Sequence, residues 1–365
     1  MNAKERILTT LSHREPELAP FAWGFGPTRE MSAVLEKFCT GKGISWKKLR
    51  ELSGDITGVG PGYTGKMPPG GNTSTDLWGI KRKKMNYGGG EYEEFTDFPL
   101  AGFESTGQLD RYPWPDPLAY DYGNFRQNLL SNPLVKEKAV NLSSGNPFEI
   151  YCWMTGLEDA LVNTIVNPGL VKCALEHITG FFEKKLELCM KEAGDLIDIV
   201  FIADDLGSQN GLLISRESYR EIIQPFHRRL TSCAKKSNPR VKVMFHSDGA
   251  VFDILPDLMD AGIDIHEAVQ TDAAGMEPER LKSAYGDRLC FHGAISVQSL
   301  LPHGDARTVR DESARLVKVL GKNGGYIPAP SHAVQIGTPP ENVFAMMEGV
   351  LGKERFEEYL KLSEI

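Results

Sequence analysis

Hydrophobic and polar positions alternate in short segments along this chain, and longer segments with helical spacing separate them. From residue 138 onwards the pattern is regular, and it predicts strands at 139–143, 198–203, 241–245, 263–267, 289–292 and 326–329. It predicts helices at 158–163, 170–193, 215–235, 251–261, 277–284, 307–320 and 339–351. Strands that alternate with helices indicate a parallel sheet with the helices outside it.

The first third of the chain adds two weaker strands, at 19–23 and 54–59, and helices at 3–12, 31–38 and 46–52. Eight strand positions favour an α/β fold of the (β/α)8 TIM-barrel type over an open doubly wound sheet. A GxGxxG motif does not follow any of the strands, so a dinucleotide-binding fold lacks support. We expect residues 1–365 to form one barrel domain.

An irregular segment at about 60–125 interrupts this rhythm. Its turns are predicted at 60–62, 68–71 and 88–90, where glycine and proline cluster, and hairpin strands are predicted at 78–82 and 91–95. We expect an insertion of hairpins and loops that caps one end of the barrel. Its aromatic residues either line a ligand pocket or pack the insertion onto the barrel: Tyr63, Trp78, Tyr92 and Trp114.

Composition narrows the class of protein. The chain is 41% hydrophobic and carries a net charge of -8, which argues against a nucleic-acid-binding surface and against binding to anionic membranes. It has no apolar run of the roughly 20 residues that a membrane span needs, and no signal-peptide core follows its first residues. The six cysteines form no CxxC pair and are predicted to be free thiols. We expect a cytoplasmic protein; the oligomeric state stays open.

Polar side chains concentrate at the carboxyl ends of the predicted strands, where a barrel of this type places its chemistry. His246 and Asp248 lie two residues apart at one such end, so their side chains point the same way. Together with His332, after the last strand, they predict a metal site that suits zinc, although iron or manganese also fits nitrogen and oxygen ligands. Alternatively, each histidine donates to a carbonyl group and Asp248 caps a helix.

Other strand ends supply further candidates. Glu267 is the best fourth ligand and His266 competes with it, because adjacent strand residues face opposite sides. One of Asp204 and Asp205 should face the barrel mouth and orient a substrate or a ligand, or else form a turn. Asp55 has the same ambiguity.

Several segments, taken in order, resemble the uroporphyrinogen decarboxylase superfamily over nearly the whole chain. They are residues 4–8, 54–56, 146–149, 204–207, 214–215, 224–226, 246–249, 257–258, 261–264, 324–327, 329–332 and 339–342. The resemblance implies a (β/α)8 barrel and two alternative chemistries. The decarboxylases use no metal, and they hold a tetrapyrrole through an amino-terminal arginine motif. Here residues 23–29 occupy that place with Arg29 alone, although Asp55 matches the decarboxylase aspartate.

The corrinoid-dependent methyltransferases of this superfamily hold zinc with a His-x-Cys pair and a later cysteine. This chain has His246, Asp248 and His332 at the matching positions. Nitrogen and oxygen ligands make a harder Lewis acid than thiolates, which suits the oxygen of a methyl ether.

The resemblance therefore implies a zinc methyltransferase. It would move a methyl group from an O-methylated small molecule, such as an aromatic methyl ether, to cobalamin or another corrinoid on a partner protein. The alternatives are a metal-free decarboxylase, with Asp55 at its centre, and a non-catalytic relative that binds corrinoid.

Overall fold

The strands of this chain are short, and most of them belong to one parallel sheet. The computed structural model describes residues 1–66, 72–86 and 91–365. In chain order the strands are β1 Ile56–Val59, β2 Gly62–Tyr63, β3 Thr73–Thr75, β4 Lys81–Asn86, β5 Glu91–Asp97, β6 Tyr120–Asp121, β7 Ala139–Gly145, β8 Ile199–Ala203, β9 Lys242–His246, β10 Ile265–Val269, β11 Cys290–Ile295 and β12 Tyr326–Pro330.

The helices surround this sheet. In chain order they are α1 Ala3–Thr10, α2 Arg29–Thr40, α3 Trp46–Ser53, α4 Thr106–Leu109, α5 Phe125–Ser131, α6 Leu134–Glu137, α7 Pro147–Thr155, α8 Leu157–Val166, α9 Pro168–Ala193, α10 Arg216–Ser218, α11 Gln224–Ser237, α12 Leu255–Asp260, α13 Pro278–Tyr285, α14 Leu300–His303, α15 Ala306–Leu320, α16 Pro340–Leu351 and α17 Lys353–Leu362. None of the helices in the described part of the chain combines the length and the apolar character needed to cross a membrane.

The main sheet is a (β/α)8-type barrel, which confirms the predicted fold class. Its seven strands pair in parallel in the order β1-β7-β8-β9-β10-β11-β12. The predicted strand at 19–23 forms no regular strand, but it closes the gap between the two edges. Ala22 N–H donates to Pro328 O of β12 at 3.0 Å, and Asp55 N–H, just before β1, donates to Phe21 O at 2.8 Å.

The lower half of the barrel interior is apolar. Ile199, Met244, Ile265 and Ile327 are buried there in one cluster. Ile7 of α1 belongs to the same cluster, so α1 covers the amino-terminal end of the barrel. Burying this surface stabilises the barrel, at about 25 cal/mol for each Å² of apolar area removed from water. It also leaves the polar positions of the interior at the carboxyl end.

The irregular segment packs against the helices α7 and α9. Its hairpin pairs β4 with β5, close to the predicted strands, while the turns predicted at 68–71 and 88–90 lie outside the described residues. The ring of Trp78 is buried and lies 4.9 Å from that of Phe181, centroid to centroid. Phe95 packs on Trp153 at 5.8 Å. The aromatic residues of this segment that are buried therefore serve packing.

Candidate functional site

Inward-facing positions change from apolar to polar towards the carboxyl ends of the strands. On β9 the change is from Met244 to His246, and on β10 it is from Ile265 to Glu267. Residues two apart on a strand share a face, so the apolar floor below fixes the direction of the polar residue above. His266 points to the opposite face. It is fully buried, burial lowers its pKa to about 4, and neither ring nitrogen has a hydrogen-bond partner among the described residues.

His246, Asp248 and His332 converge at the mouth of the barrel, and we call them the His–Asp–His cluster. One ligand atom from each lies within 4.8 Å of the others. His246 Nε2 is 3.8 Å from Asp248 Oδ1, and His332 Nε2 is 3.8 Å from Asp248 Oδ2. The fold thus brings together three residues that the sequence pattern placed at the ends of strands.

The cluster fits a zinc ion. Zinc–ligand bonds of about 2.0–2.1 Å in a tetrahedral site put neighbouring ligand atoms roughly 3.3 Å apart. The cluster spans up to 4.8 Å, and each histidine Nε2 lies 3.8 Å from one Asp248 oxygen, so the side chains must move inwards to hold the ion. Asp248 Oδ1 is buried and has no hydrogen-bond partner in the part of the chain that the structure describes. A buried carboxylate oxygen left unpaired is costly unless a cation or a donor satisfies it.

Glu267 orients His246 rather than joining the cluster. The Nδ1–H group of His246 donates to Glu267 Oε2 at 2.6 Å, which turns Nε2 towards Asp248. Burial lowers the pKa of the His246 imidazole, but the charge and hydrogen bond of Glu267 outweigh it, and the pKa rises to about 10. Burial raises the pKa of Glu267, but the charge and hydrogen bond of His246 outweigh it, so the pKa of Glu267 is lowered. Glu267 is therefore placed as a partner behind the ligand, not as the fourth ligand that its position on the strand suggested.

The two aspartates after β8 have different surroundings. Asp205 faces the mouth: its Oδ1 accepts from Asp248 N–H at 3.0 Å and lies 3.6 Å from His246 Nε2. Asp204 is fully buried behind the strand. It accepts from His227 Nε2 at 2.6 Å and from the N–H groups of Phe148 and Glu149 at the start of α7.

One of the two aspartates was expected to face the barrel mouth, and Asp205 is the one that does so. Asp204 caps α7 and holds His227, and every one of its contacts is part of the scaffold. Asp205 alone of the pair lies beside the cluster.

Asp55 lies at the opposite end of the barrel from the cluster. It precedes β1, is fully buried, and forms two hydrogen bonds with the Arg6 guanidinium, at 2.7 and 3.0 Å. Phe21 N–H donates to it at 3.2 Å, and Arg355 lies 3.6 Å away. Its surroundings are those of a buried ion pair, remote from the carboxyl ends of the strands.

Glu149 is a candidate that the sequence pattern did not single out. It lies in the first turn of α7, where Asn146 Nδ2 donates to Glu149 Oε2 at 2.7 Å. Burial raises its pKa to about 7 against the lowering effect of the Asn146 hydrogen bond; the charges of Asp205 and Asp204 add to the rise, and that of His246 opposes it. A carboxyl group with a pKa near neutrality can both donate and accept a proton at physiological pH. The Asn-Pro pair at 146–147 is a helix-start signal that could have pointed to it.

Phe25 forms a wall of the site. Its ring, 47% exposed, lies 5.0 Å from the His246 ring and 4.9 Å from the His332 ring, between centroids. Below it, a cavity of about 780 Å³ reaches into the barrel, where Phe201, Glu267 and His292 line it. His292 Nδ1 is buried and lacks a hydrogen-bond partner among the described residues. A mostly apolar cavity with a few unsatisfied polar atoms is typical of a small-molecule site.

The comparison with protein families agrees with this architecture. The model of the family described as "Uroporphyrinogen decarboxylase (URO-D)" matches residues 127–351, which is more than half of the 365-residue chain. The chain therefore belongs to the uroporphyrinogen decarboxylase family.

Within that family the chain is similar to methyltransferases, as its sequence motifs predicted. A methylated-thiol–coenzyme M methyltransferase from Methanosarcina mazei is 27% identical over 199 residues, which cover 54% of this chain and 49% of the relative. The match thus spans about half the length of that curated relative. A solved structure of a methyltransferase from Methanosarcina mazei has a TM-score of 0.62 at 17% identity, covering 98% of this chain and 99% of its own. This likeness establishes the shared fold.

Proposed function

We propose that this protein is a methyltransferase that moves a methyl group from an O-methylated small molecule to the cobalt of a corrinoid carried by a partner protein. The observation that carries the proposal is the His–Asp–His cluster at the mouth of a uroporphyrinogen decarboxylase-type barrel. The similarity to methyltransferases supports the reaction class. The wide carboxyl end of the barrel is where a corrinoid domain could approach.

His246, Asp248 and His332 would hold a zinc ion, with Asp205 close enough to serve as a further ligand or to fix Asp248. Bound there, zinc would supply a Lewis acid for the oxygen atom that loses its methyl group. Glu267 accepts the Nδ1–H hydrogen bond of His246, so Nε2 stays directed at the proposed position of the ion. Phe25 packs against both histidines, and its ring helps to shield His246, which is buried.

The ligand set favours an oxygen donor over a sulfur donor. The Methanosarcina relative is named for methylated thiols, whereas the cluster of this chain offers two imidazoles and a carboxylate. Such ligands leave a harder metal centre, which prefers oxygen to sulfur. The cavity of about 780 Å³ is lined by Phe25 and Glu267, the neighbours of the cluster, rather than by the cluster itself. Its volume falls in the range of small-molecule sites and is large enough for an aromatic methyl ether.

The proposed reaction needs one proton for the oxygen atom that loses its methyl group. When the methyl group leaves an ether as CH3–Co(III), both electrons of the C–O bond stay with oxygen, and Co(I) provides the pair that forms the new bond. The oxygen must then gain one proton to become an alcohol or a phenol. Glu149, in the first turn of α7 at this end of the barrel and with its pKa raised to about 7, is our candidate for the proton donor.

Methyl transfer can be tested without the partner protein. Zinc-loaded protein is mixed with free cob(I)alamin and either methoxylated benzoates or methylated thiols, and methylcob(III)alamin is followed by its absorbance. We expect turnover with a methoxylated compound and none in zinc-free protein. Turnover with thiols alone would contradict the proposal that the methyl donor is an oxygen compound. Failure with every donor would contradict the proposal that the protein is a methyltransferase. Corrinoid binding without turnover would indicate the non-catalytic relative, and decarboxylation of a tetrapyrrole without metal would indicate the decarboxylase.

The role of Glu267 gives a second test. We expect Glu267→Gln to lower the zinc affinity of the cluster by about 10- to 100-fold, the usual cost of losing a carboxylate that orients a ligating histidine. Competition with a chromophoric chelator measures this affinity. The matched control is Glu277→Gln, at an exposed position, which should leave it unchanged. An unchanged affinity in Glu267→Gln would show that Glu267 does not support the site.

A further inference from the structure

A second group of metal-competent side chains lies outside the barrel mouth. Asp110, Cys173 and His177 each offer one ligand atom within 4.8 Å of the others. Cys173 and His177 are four residues apart on α9, so they occupy one face of that helix. Asp110 reaches them from the end of α4, in the irregular segment. The three ligands therefore come from two parts of the chain that are distant in sequence.

Neighbouring contacts hold His177 in place. Its ring stacks on the indole of Trp114, with 4.9 Å between centroids and 11° between planes. Trp114 is itself fixed, since its Nε1–H donates to Leu109 O at 2.8 Å. A planar stack leaves the edge of the imidazole free to point at a ligand. His177 Nε2 lies 3.2 Å from Asp110 Oδ1.

The distance between the His177 imidazole and the Asp110 carboxylate suits a tetrahedral ion. Nitrogen and oxygen ligands of one zinc ion lie roughly 3.3 Å apart, close to the 3.2 Å between His177 Nε2 and Asp110 Oδ1. The longer zinc–sulfur bond, about 2.3 Å, accommodates a sulfur atom further away. Cys173 and His177 are half-buried and Asp110 is exposed, so small side-chain rotations can bring the ligand atoms together.

We propose that Asp110, Cys173 and His177 form a second zinc site, which ties the irregular segment to α9. Thiolate and imidazole ligands select zinc over magnesium and calcium, which prefer oxygen alone. The fourth position is open to water. This site is independent of the methyltransferase proposal, because it shares no residue with the His–Asp–His cluster.

The thiolate allows the two sites to be told apart by spectroscopy. Protein loaded with Co²⁺ and desalted should show a near-ultraviolet sulfur-to-cobalt charge-transfer band, which the sulfur-free His–Asp–His cluster cannot produce. We expect Cys173→Ser and His177→Ala to abolish the band and to lose one metal equivalent each. His246→Ala should keep the band and lose the other equivalent, and the matched control Cys233→Ser, at another half-buried thiol, should change neither.

Two results would overturn this site: no charge-transfer band in the wild type, or a band that persists in Cys173→Ser. Cys173→Ser changes one atom, so its circular dichroism should match that of the wild type. A second measurement tests whether the metal links the irregular segment to α9. Arg111 is exposed next to Asp110, and zinc should slow trypsin cleavage after it in the wild type but not in Cys173→Ser. Equal protection in both proteins would also contradict the proposal.

Discussion

Replacing His246 by alanine is expected to remove one equivalent of tightly bound zinc and to reduce methyl transfer by at least about 100-fold. Removing a partner that only orients a ligand already costs about 10- to 100-fold, so loss of the ligand itself should cost more. His246 is the residue on which the site depends: it contacts Glu267 through Nδ1 and faces Asp205 and Asp248 through Nε2. Elemental analysis of desalted protein measures the metal, and methylcob(III)alamin formation measures the reaction.

The matched control is His303→Ala, which removes an imidazole from an exposed position. It should retain the full metal content and the full rate. Because His246 is buried, circular dichroism and thermal unfolding must show that the His246→Ala protein is folded before the loss is assigned to the site. A folded His246→Ala protein with unchanged zinc content would refute the metal centre, whatever its effect on the rate.

The pattern along the sequence was sufficient where local geometry decides the outcome. A strand has a period of two, so the spacing of His246 and Asp248 already implied that their side chains could converge. The same rule separates Glu267 from His266, once it is known that Ile265 faces the barrel interior. It was not sufficient for the first barrel position. There Phe21 and Ala22 close the sheet through single hydrogen bonds, without forming a regular strand.

Contacts that depend on packing could not be predicted from the pattern. The helix α7 is apolar on nearly every side, with Phe148, Ile150 and Met154 buried, so it shows no helical periodicity, and it was missed. Glu149 was missed with it. Likewise, the ring of Phe25 lies in a loop, and only the folded chain brings it onto His246 and His332.

Asp55 and Asp204 are two residues whose roles the sequence pattern could not decide. Each is a carboxylate next to a barrel strand, which is what a catalytic residue looks like in the sequence. The distinction lies in which end of the strand carries it and what it meets there. Asp55 meets Arg6 at the amino-terminal end, and Asp204 meets His227 behind the sheet. The first of these contacts leads to a prediction about stability.

Asp55→Ala is expected to lower the free energy of unfolding by about 3–5 kcal/mol, because it leaves the buried Arg6 guanidinium without its partner. The side chains of Asp55 and Arg6 are 0% and 7% exposed, so water cannot replace the lost contact. Chemical denaturation measures the difference. If the alanine variant does not fold, Asp55→Asn, which keeps the shape but not the charge, gives the same comparison in a milder form.

The matched control is Asp97→Ala, which breaks the exposed pair between Asp97 and Lys81 on the hairpin and should leave unfolding close to that of the wild type, since exposed ion pairs contribute little. The folded fraction of the Asp55 variant should keep its zinc and its methyl-transfer rate, because the His–Asp–His cluster lies at the other end of the barrel. A variant with wild-type stability but no activity would contradict this account. It would indicate that Asp55 takes part in the reaction. It would then favour metal-free decarboxylation, which the position of Asp55 in the fold argues against.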